Sequence, residues 1–204
     1  MAGCKVIGIL GGVGSGKSEA VNYLQNKYHA YVIKADEVAH RLYNKGRQGY
    51  KAVIRCCGKS VLDDNRCIDR VKLAAMLYSD TELLSRVNAS IHPMVYLKTE
   101  ELISAYKKTH SKGLIVYEAA LISKPMPDFL DEIWYIHSNE NIRKSRLKEY
   151  RGYTDSRIEE IITNQPGFDE YKDISNVILE NNGTLKDLEQ SIDEIFKYSQ
   201  WKQR

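Results

Sequence analysis

Short runs of nearly all-apolar residues alternate along this chain with longer stretches whose apolar positions recur at helical spacing. The runs fall at 6–10, 30–33, 114–117, 133–136 and 177–179. Each is too short for a helix and is apolar on both faces, which predicts strands of a sheet covered on both sides. Between them, 18–27 carries Ala20, Val21 and Leu24 at helical spacing, 37–43 reads as a helix start, and 185–196 holds a stripe at Leu185, Leu188, Ile192, Ile195 and Phe196. Thr184, with Asp187 three residues on, marks the start of that last helix. Buried strands separated by helices predict an α/β fold, a doubly wound parallel five-stranded sheet.

One region breaks the alternation. Residues 46–110 hold only helical patterns and turns, clearest at 69–77 and 80–87, and Pro93 is expected to end or kink the helix running through Ser90. A single domain over 1–204 follows, with a core of about 1–45 and 111–204 and an inserted helical substrate lobe of about 46–110. Such a lobe would lie beside the C-terminal ends of the strands, where doubly wound folds bind ligands.

Composition changes little in this picture. A net charge of +3 is too small to argue for a nucleic-acid surface, and no run of 18 apolar residues predicts a membrane span. Ala2-Gly3-Cys4 follows no apolar segment, so no targeting peptide is expected. Cys4, Cys56, Cys57 and Cys67 show no metal-ligand spacing and suit reduced thiols in a cytoplasmic protein, with a monomer as the expected state.

The chemistry is concentrated after the first strand. Gly11-Gly12-Val13-Gly14-Ser15-Gly16-Lys17-Ser18 fits the phosphate-loop pattern G-x-x-x-x-G-K-[ST] between a strand and a helix. Glycines let successive N–H groups turn toward phosphate oxygens, and the helix that follows offers its free amides to the same anion. Lys17 is expected to reach the β- and γ-phosphates of ATP, and the Ser18 hydroxyl to ligate Mg²⁺. Glu19 completes the candidate ATP-binding run. No N-K-x-D base-reading element is present, so a GTPase is disfavoured, and the small size with a helical insert favours a metabolite or nucleotide kinase.

Nearly the whole chain resembles the dephospho-CoA kinase family. The phosphate loop is similar to the family's T-G-G-I-G-S-G-K-S. Val32-Ile33-Lys34-Ala35-Asp36-Glu37-Val38-Ala39 resembles its V-I-D-A-D-x-I-A, Ile68-Asp69-Arg70 its L-D-R, and Asn88-Ala89-Ser90-Ile91-His92-Pro93 its L-N-x-I-x-H-P. Gln165 and Val177-Ile178-Leu179-Glu180-Asn181-Asn182-Gly183 resemble its closing Q and V-I-x-N-x-G. The resemblance implies ATP-dependent phosphorylation of the ribose 3′-hydroxyl of dephospho-CoA, with Asp36 as the base. Following the second strand, Asp36 suits that task, and a helix N-cap is its other available role. His92 either contacts the substrate or simply sits at a helix kink. Arg70 either binds substrate or pairs with Asp69 or another acid.

Arg143, Arg146, Arg151 and Arg157 fall within a predicted lid of about 143–157, interrupted at Gly152-Tyr153-Thr154. Arginines brought over ATP would stabilise the transferring phosphoryl group, and a solvated basic face is the other reading. Arg146 matches the family's R-L. The family's next arginine position is Tyr150, so Arg151 is the second candidate. Other departures are Lys34 for the first acid of D-A-D, Ser123 for a glutamate that Glu118 would have to replace, and Glu19 where threonine is usual. These departures keep two alternatives open: a kinase of another nucleotide-like small molecule, and a catalytically impaired ATP-binding regulator.

Overall fold

The computed structural model describes residues 3–120, 122, 126–165 and 167–198. The chain forms two compact units, one of residues 1–33 with 106–204 and the other of residues 34–105.

The first unit is built on five strands, β1 (Cys4–Leu10), β2 (Tyr31–Lys34), β3 (Gly113–Glu118), β4 (Glu132–His137) and β5 (Val177–Glu180), in the order β2-β3-β1-β4-β5. β1 is central, parallel to β3 with Val6 opposite Ile115, and parallel to β4 with Ile9 opposite Trp134; β5 runs parallel to β4. All five strands expected from the apolar runs are present. Side chains alternate between faces. Ile7, Ile9, Leu114, Val116, Trp134, Ile136 and Leu179 form one face, which packs on α1 (Lys17–Tyr28) and α9 (Leu185–Tyr198). Val6, Ile115, Tyr117, Ile133 and Tyr135 are buried on the other. There Tyr135 stacks on Tyr171 of α8 (Phe168–Lys172), and Tyr117 meets Phe129 edge-on. Burying each large apolar side chain contributes about 1.5–3 kcal/mol, so the sheet is a rigid floor for what its loops carry.

The connection from β1 to β2 and that from neighbouring β3 to β4 run in opposite directions across the sheet, so the switch point at which open α/β sheets hold ligands lies between the C-terminal ends of β1 and β3. Helices α6 (Glu140–Arg151) and α7 (Asp155–Thr163) follow β4.

The second unit is helical: α2 (Ala35–Leu42), α3 (Gln48–Cys57), a 3₁₀ turn at Lys59–Val61, α4 (Arg70–Ser79) and most of α5 (Thr81–Thr109). α3 crowds α2 so closely that a Cβ at Gly49 would lie 2.7 Å from the Leu42 carbonyl oxygen. Asp69 caps α4 by accepting from the Val71 and Lys72 amides at 2.9 and 3.1 Å, and Asp80 accepts from the Leu83 amide at 2.8 Å to open α5.

Of the two outcomes expected at Pro93, an end to the helix does not occur: α5 continues through it as one helix of 29 residues. Proline removes one backbone donor and crowds the preceding turn, at a cost of about 3 kcal/mol or more. Burial of Leu83, Val87, Ile91, Val95, Thr99 and Ile103 on both sides of the exposed Pro93 outweighs that cost. No helix among the described residues is long and apolar enough to cross a membrane.

Candidate active site

The loop from Gly11 to Ser18 leaves β1 and enters α1. Gly14 and Gly16 adopt left-handed backbone, with φ of 80° and 93°, on either side of Ser15. Alternation of this kind turns successive amides to one side and makes a concave anion nest. The Gly14, Gly16 and Ser18 amides donate to no acceptor among the described residues, the latter two as the start of a helix leaves them.

The loop has no room for side chains at its glycines. A Cβ at Gly11 would lie 2.5 Å from the Ile136 carbonyl oxygen, one at Gly12 2.4 Å from the Arg143 guanidinium, and one at Gly16 2.1 Å from Asn181 Nδ2. Lys17 folds over the loop, its ammonium donating to the Gly11 and Gly12 carbonyls at 2.5 and 3.2 Å. Arriving phosphate oxygens would compete with those neutral carbonyls for a full positive charge.

Residues just past the ends of β4 and β5, with residues of α6, hold the loop from behind. The Ser15 carbonyl accepts from Ser138 Oγ at 3.1 Å and from Asn181 Nδ2 at 2.8 Å. In a trans peptide the C=O and the next N–H point opposite ways, so pinning this carbonyl directs the Gly16 amide away from the anchor. Arg146 donates to Ser138 Oγ at 3.1 Å and to the Gly183 carbonyl at 3.3 Å, within the same network. The Ser15 hydroxyl is buried without a partner among the described residues.

The structure therefore brings Gly12, Val13, Gly14, Ser15, Gly16, Lys17, Ser18 and Arg146 together. Glu19 is exposed on the first turn of α1. Arg151 is exposed at the end of α6 and enters no ion pair among the described residues, while Arg157 pairs with Glu160 at 2.8 Å. Arg143 donates from Nε to the Val13 carbonyl at 2.9 Å, and Gln165 Oε1 accepts from the Val13 amide at 2.9 Å. The local sequence gives no sign of Arg143, Ser138 and Asn181 as loop anchors. Only the N-N-G run after β5 singles out Asn181, and without a role.

Asp36, Arg70 and His92 all lie in the second unit. Asp36 is exposed on the first turn of α2, whose cap position is Lys34, and its carboxylate makes no capping hydrogen bond or ion pair among the described residues. Lys34 instead faces Glu37 at 3.8 Å. Arg70 does not pair with Asp69; its Nη1 lies 3.4 Å from Nδ1 of His40, one turn along α2 from Asp36. His92 is half-buried on α5 beside Tyr96, and burial holds its imidazole below the usual histidine range. Glu118 ends β3, and Ser123 lies outside the described residues.

A doubly wound parallel sheet with a glycine cradle at its switch point defines a P-loop kinase fold. Similar folds occur in a Thermus thermophilus protein (TM-score 0.75, 23% identity, covering 96% of this chain and 97% of that one) and in a dephospho-CoA kinase from Campylobacter jejuni (TM-score 0.65, 18% identity, 94% and 95%). A shikimate kinase from Acinetobacter baumannii shares the fold more distantly, at TM-score 0.54 and 14% identity over 98% of this chain and 96% of that one. Among curated relatives, the dephospho-CoA kinase of Lactobacillus johnsonii is 26% identical over 94% of this chain and 96% of its own length, and that of Streptococcus mutans 29% over 93% and 94%. The dephospho-CoA kinase family profile matches residues 5–187, and the chain belongs to that family.

Proposed function

We propose that the chain transfers the γ-phosphoryl group of ATP to the ribose 3′-hydroxyl of dephospho-CoA, giving CoA and ADP. The observation that carries this reading is family membership over residues 5–187, together with a phosphate loop whose inward amides are left without acceptors.

Each residue then has a physical task. The Gly14, Gly16 and Ser18 amides bind phosphate oxygens, and Lys17 leaves the Gly11 and Gly12 carbonyls to bridge the β- and γ-phosphates. Arg146 approaches the loop from α6 and supplies a fixed positive charge as charge moves onto the leaving oxygen. Asp36 orients the ribose hydroxyl and takes its proton. A carboxylate with no competing partner suits this, because neither a cap bond nor an ion pair has to be broken first. Arg70 and His92 hold the acceptor in the helical unit, and the segment around Arg151 serves as a lid over the nucleotide.

The donor set fits Mg²⁺ bound mainly through the nucleotide. Ser18 presents an exposed hydroxyl beside the cradle, and no group of three or more His, Cys, Asp or Glu side chains that could hold a metal exists among the described residues. Mg²⁺ favours this arrangement of one or two protein oxygens with phosphate oxygens and water. Bound there, it would offset negative charge on the nucleotide phosphates.

Incubating the pure protein with Mg-ATP and dephospho-CoA and identifying products by mass spectrometry tests the reading. CoA and ADP are expected to accumulate in equal amounts. ADP formation with the acceptor left unmodified would overturn it.

A further inference from the structure

The roles above leave the closed hydrogen-bond ring around Val13 unexplained. Gln165 Oε1 accepts from the Val13 amide at 2.9 Å and from Arg143 Nη2 at 3.1 Å, while Arg143 Nε donates to the Val13 carbonyl at 2.9 Å. Both partners of the Gln165 atom are donors, which requires the amide oxygen at that position. The guanidinium lies against Gly12, where any Cβ would overlap it at 2.4 Å. Val13, Arg143 and Gln165 are all partly buried, which strengthens hydrogen bonds that water would otherwise weaken.

The ring fixes two consecutive peptide planes. Holding the Val13 carbonyl on the Arg143 side turns the following Gly14 amide to the opposite side, toward the nest. Holding the Val13 amide on the Gln165 side turns the preceding Gly12 carbonyl inward, where it accepts from the Ser15 amide at 3.1 Å and from Lys17 Nζ at 3.2 Å. Arg143 lies on the first turn of α6, and Gln165 lies two residues beyond the end of α7. The two therefore bracket the α6–α7 segment and tie both of its roots to the phosphate loop.

We infer that Arg143 and Gln165 are positioning residues for nucleotide binding: together they aim the Gly12–Val13 and Val13–Gly14 peptides and join the roots of the α6–α7 lid segment to the loop that receives the phosphates. Neither side chain needs to touch the nucleotide. The inference rests on the loop binding ATP and not on which acceptor is used.

Titration of the full chain with the fluorescent nucleotide mant-ATP and Mg²⁺, in the absence of acceptor, tests it. Arg143→Met and Gln165→Ala are each expected to raise the Kd about tenfold. The double variant is expected to lose little more than either single one, because both break the same ring. Gln165→Glu, which retains the acceptor oxygen, is expected to recover most of the loss. In steady-state assays the KM for ATP should rise while the KM for the acceptor holds. Should Arg143→Met fail to fold by circular dichroism, Gln165→Asn, one methylene too short to close the ring, carries the same expectation. Variants that bind mant-ATP as tightly as wild type, or losses that add fully in the double variant, would overturn the inference. Failure of the wild-type chain itself to bind mant-ATP would instead overturn the nucleotide reading beneath it. Tight mant-ATP binding with no transfer to dephospho-CoA would overturn only the choice of acceptor.

Discussion

At the scale of single residues, what matters is which polar groups have partners and which do not. Asp36 has none among the described residues, so Asn at that position should disturb the fold little. Asp36→Asn is expected to lower kcat by about a hundredfold or more, the usual range for loss of a general base, with KM for ATP within a few-fold of wild type. Steady-state kinetics check this, and an unchanged kcat would remove Asp36 from the mechanism. Thr99 shows the opposite economy. It is wholly buried in α5, and its hydroxyl has no partner among the described residues. A buried unpaired hydroxyl costs about 1–3 kcal/mol, so Thr99→Val, equal in shape, should stabilise the chain by about 1 kcal/mol in urea unfolding. A destabilised variant would show that the hydroxyl finds a partner after all. The glycines of the loop were legible in the sequence because their task is local backbone geometry. The loop anchors were not, because they act across the fold: Asn181 is 166 residues from Ser15, and Arg143 is 130 from Val13.

At the scale of elements, the apolar runs marked all five strands, and the Thr184–Asp187 start signal of α9 proved reciprocal. The Thr184 amide donates to Asp187 Oδ2 at 2.7 Å, and the Asp187 amide donates to Thr184 Oγ1 at 3.3 Å. Whether α5 ends at Pro93 or runs on was not decided by the sequence, since that depends on tertiary burial that a local rule does not weigh. α1 is joined to α9 by one polar cluster: Asp193 accepts from Tyr23 at 2.9 Å, Tyr28 at 2.8 Å and Lys27 at 2.6 Å. Partial burial pushes the Asp193 carboxyl up, and the hydrogen bonds from Lys27, Tyr28 and Tyr23 outweigh it, so its pKa lies below the usual aspartate value. A depressed carboxyl stabilises the fold above its unfolded pKa of about 3.9, and that stabilisation is lost as the pH falls through its folded value. The Lys27 ammonium is raised chiefly by the hydrogen bond to Asp193, so its contribution is complete at neutral pH and is lost only in strong alkali. Asp193→Asn should therefore lower the Tm at pH 7, and the gap to wild type should narrow as the pH drops below about 4. Melting curves across pH check this; a gap that stays constant through acid would refute the linkage.

At the scale of the whole molecule, the α/β class and the phosphate loop were readable from strand–helix alternation and one glycine-rich turn. α2 begins directly after β2, and the second compact unit starts at Lys34 and includes it. The departures at Lys34 and Tyr150 bear on how well a member of the dephospho-CoA kinase family works on its acceptor, and only turnover measures that. The most direct measurement is acceptor-dependent ADP release with Mg-ATP, comparing dephospho-CoA, a panel of nucleosides and nucleoside monophosphates, and a blank without acceptor. The kcat/KM for dephospho-CoA is expected to lie well above that for every other acceptor, with the blank near zero. A higher kcat/KM for any member of the panel, or a rate for dephospho-CoA no greater than the blank, would contradict it.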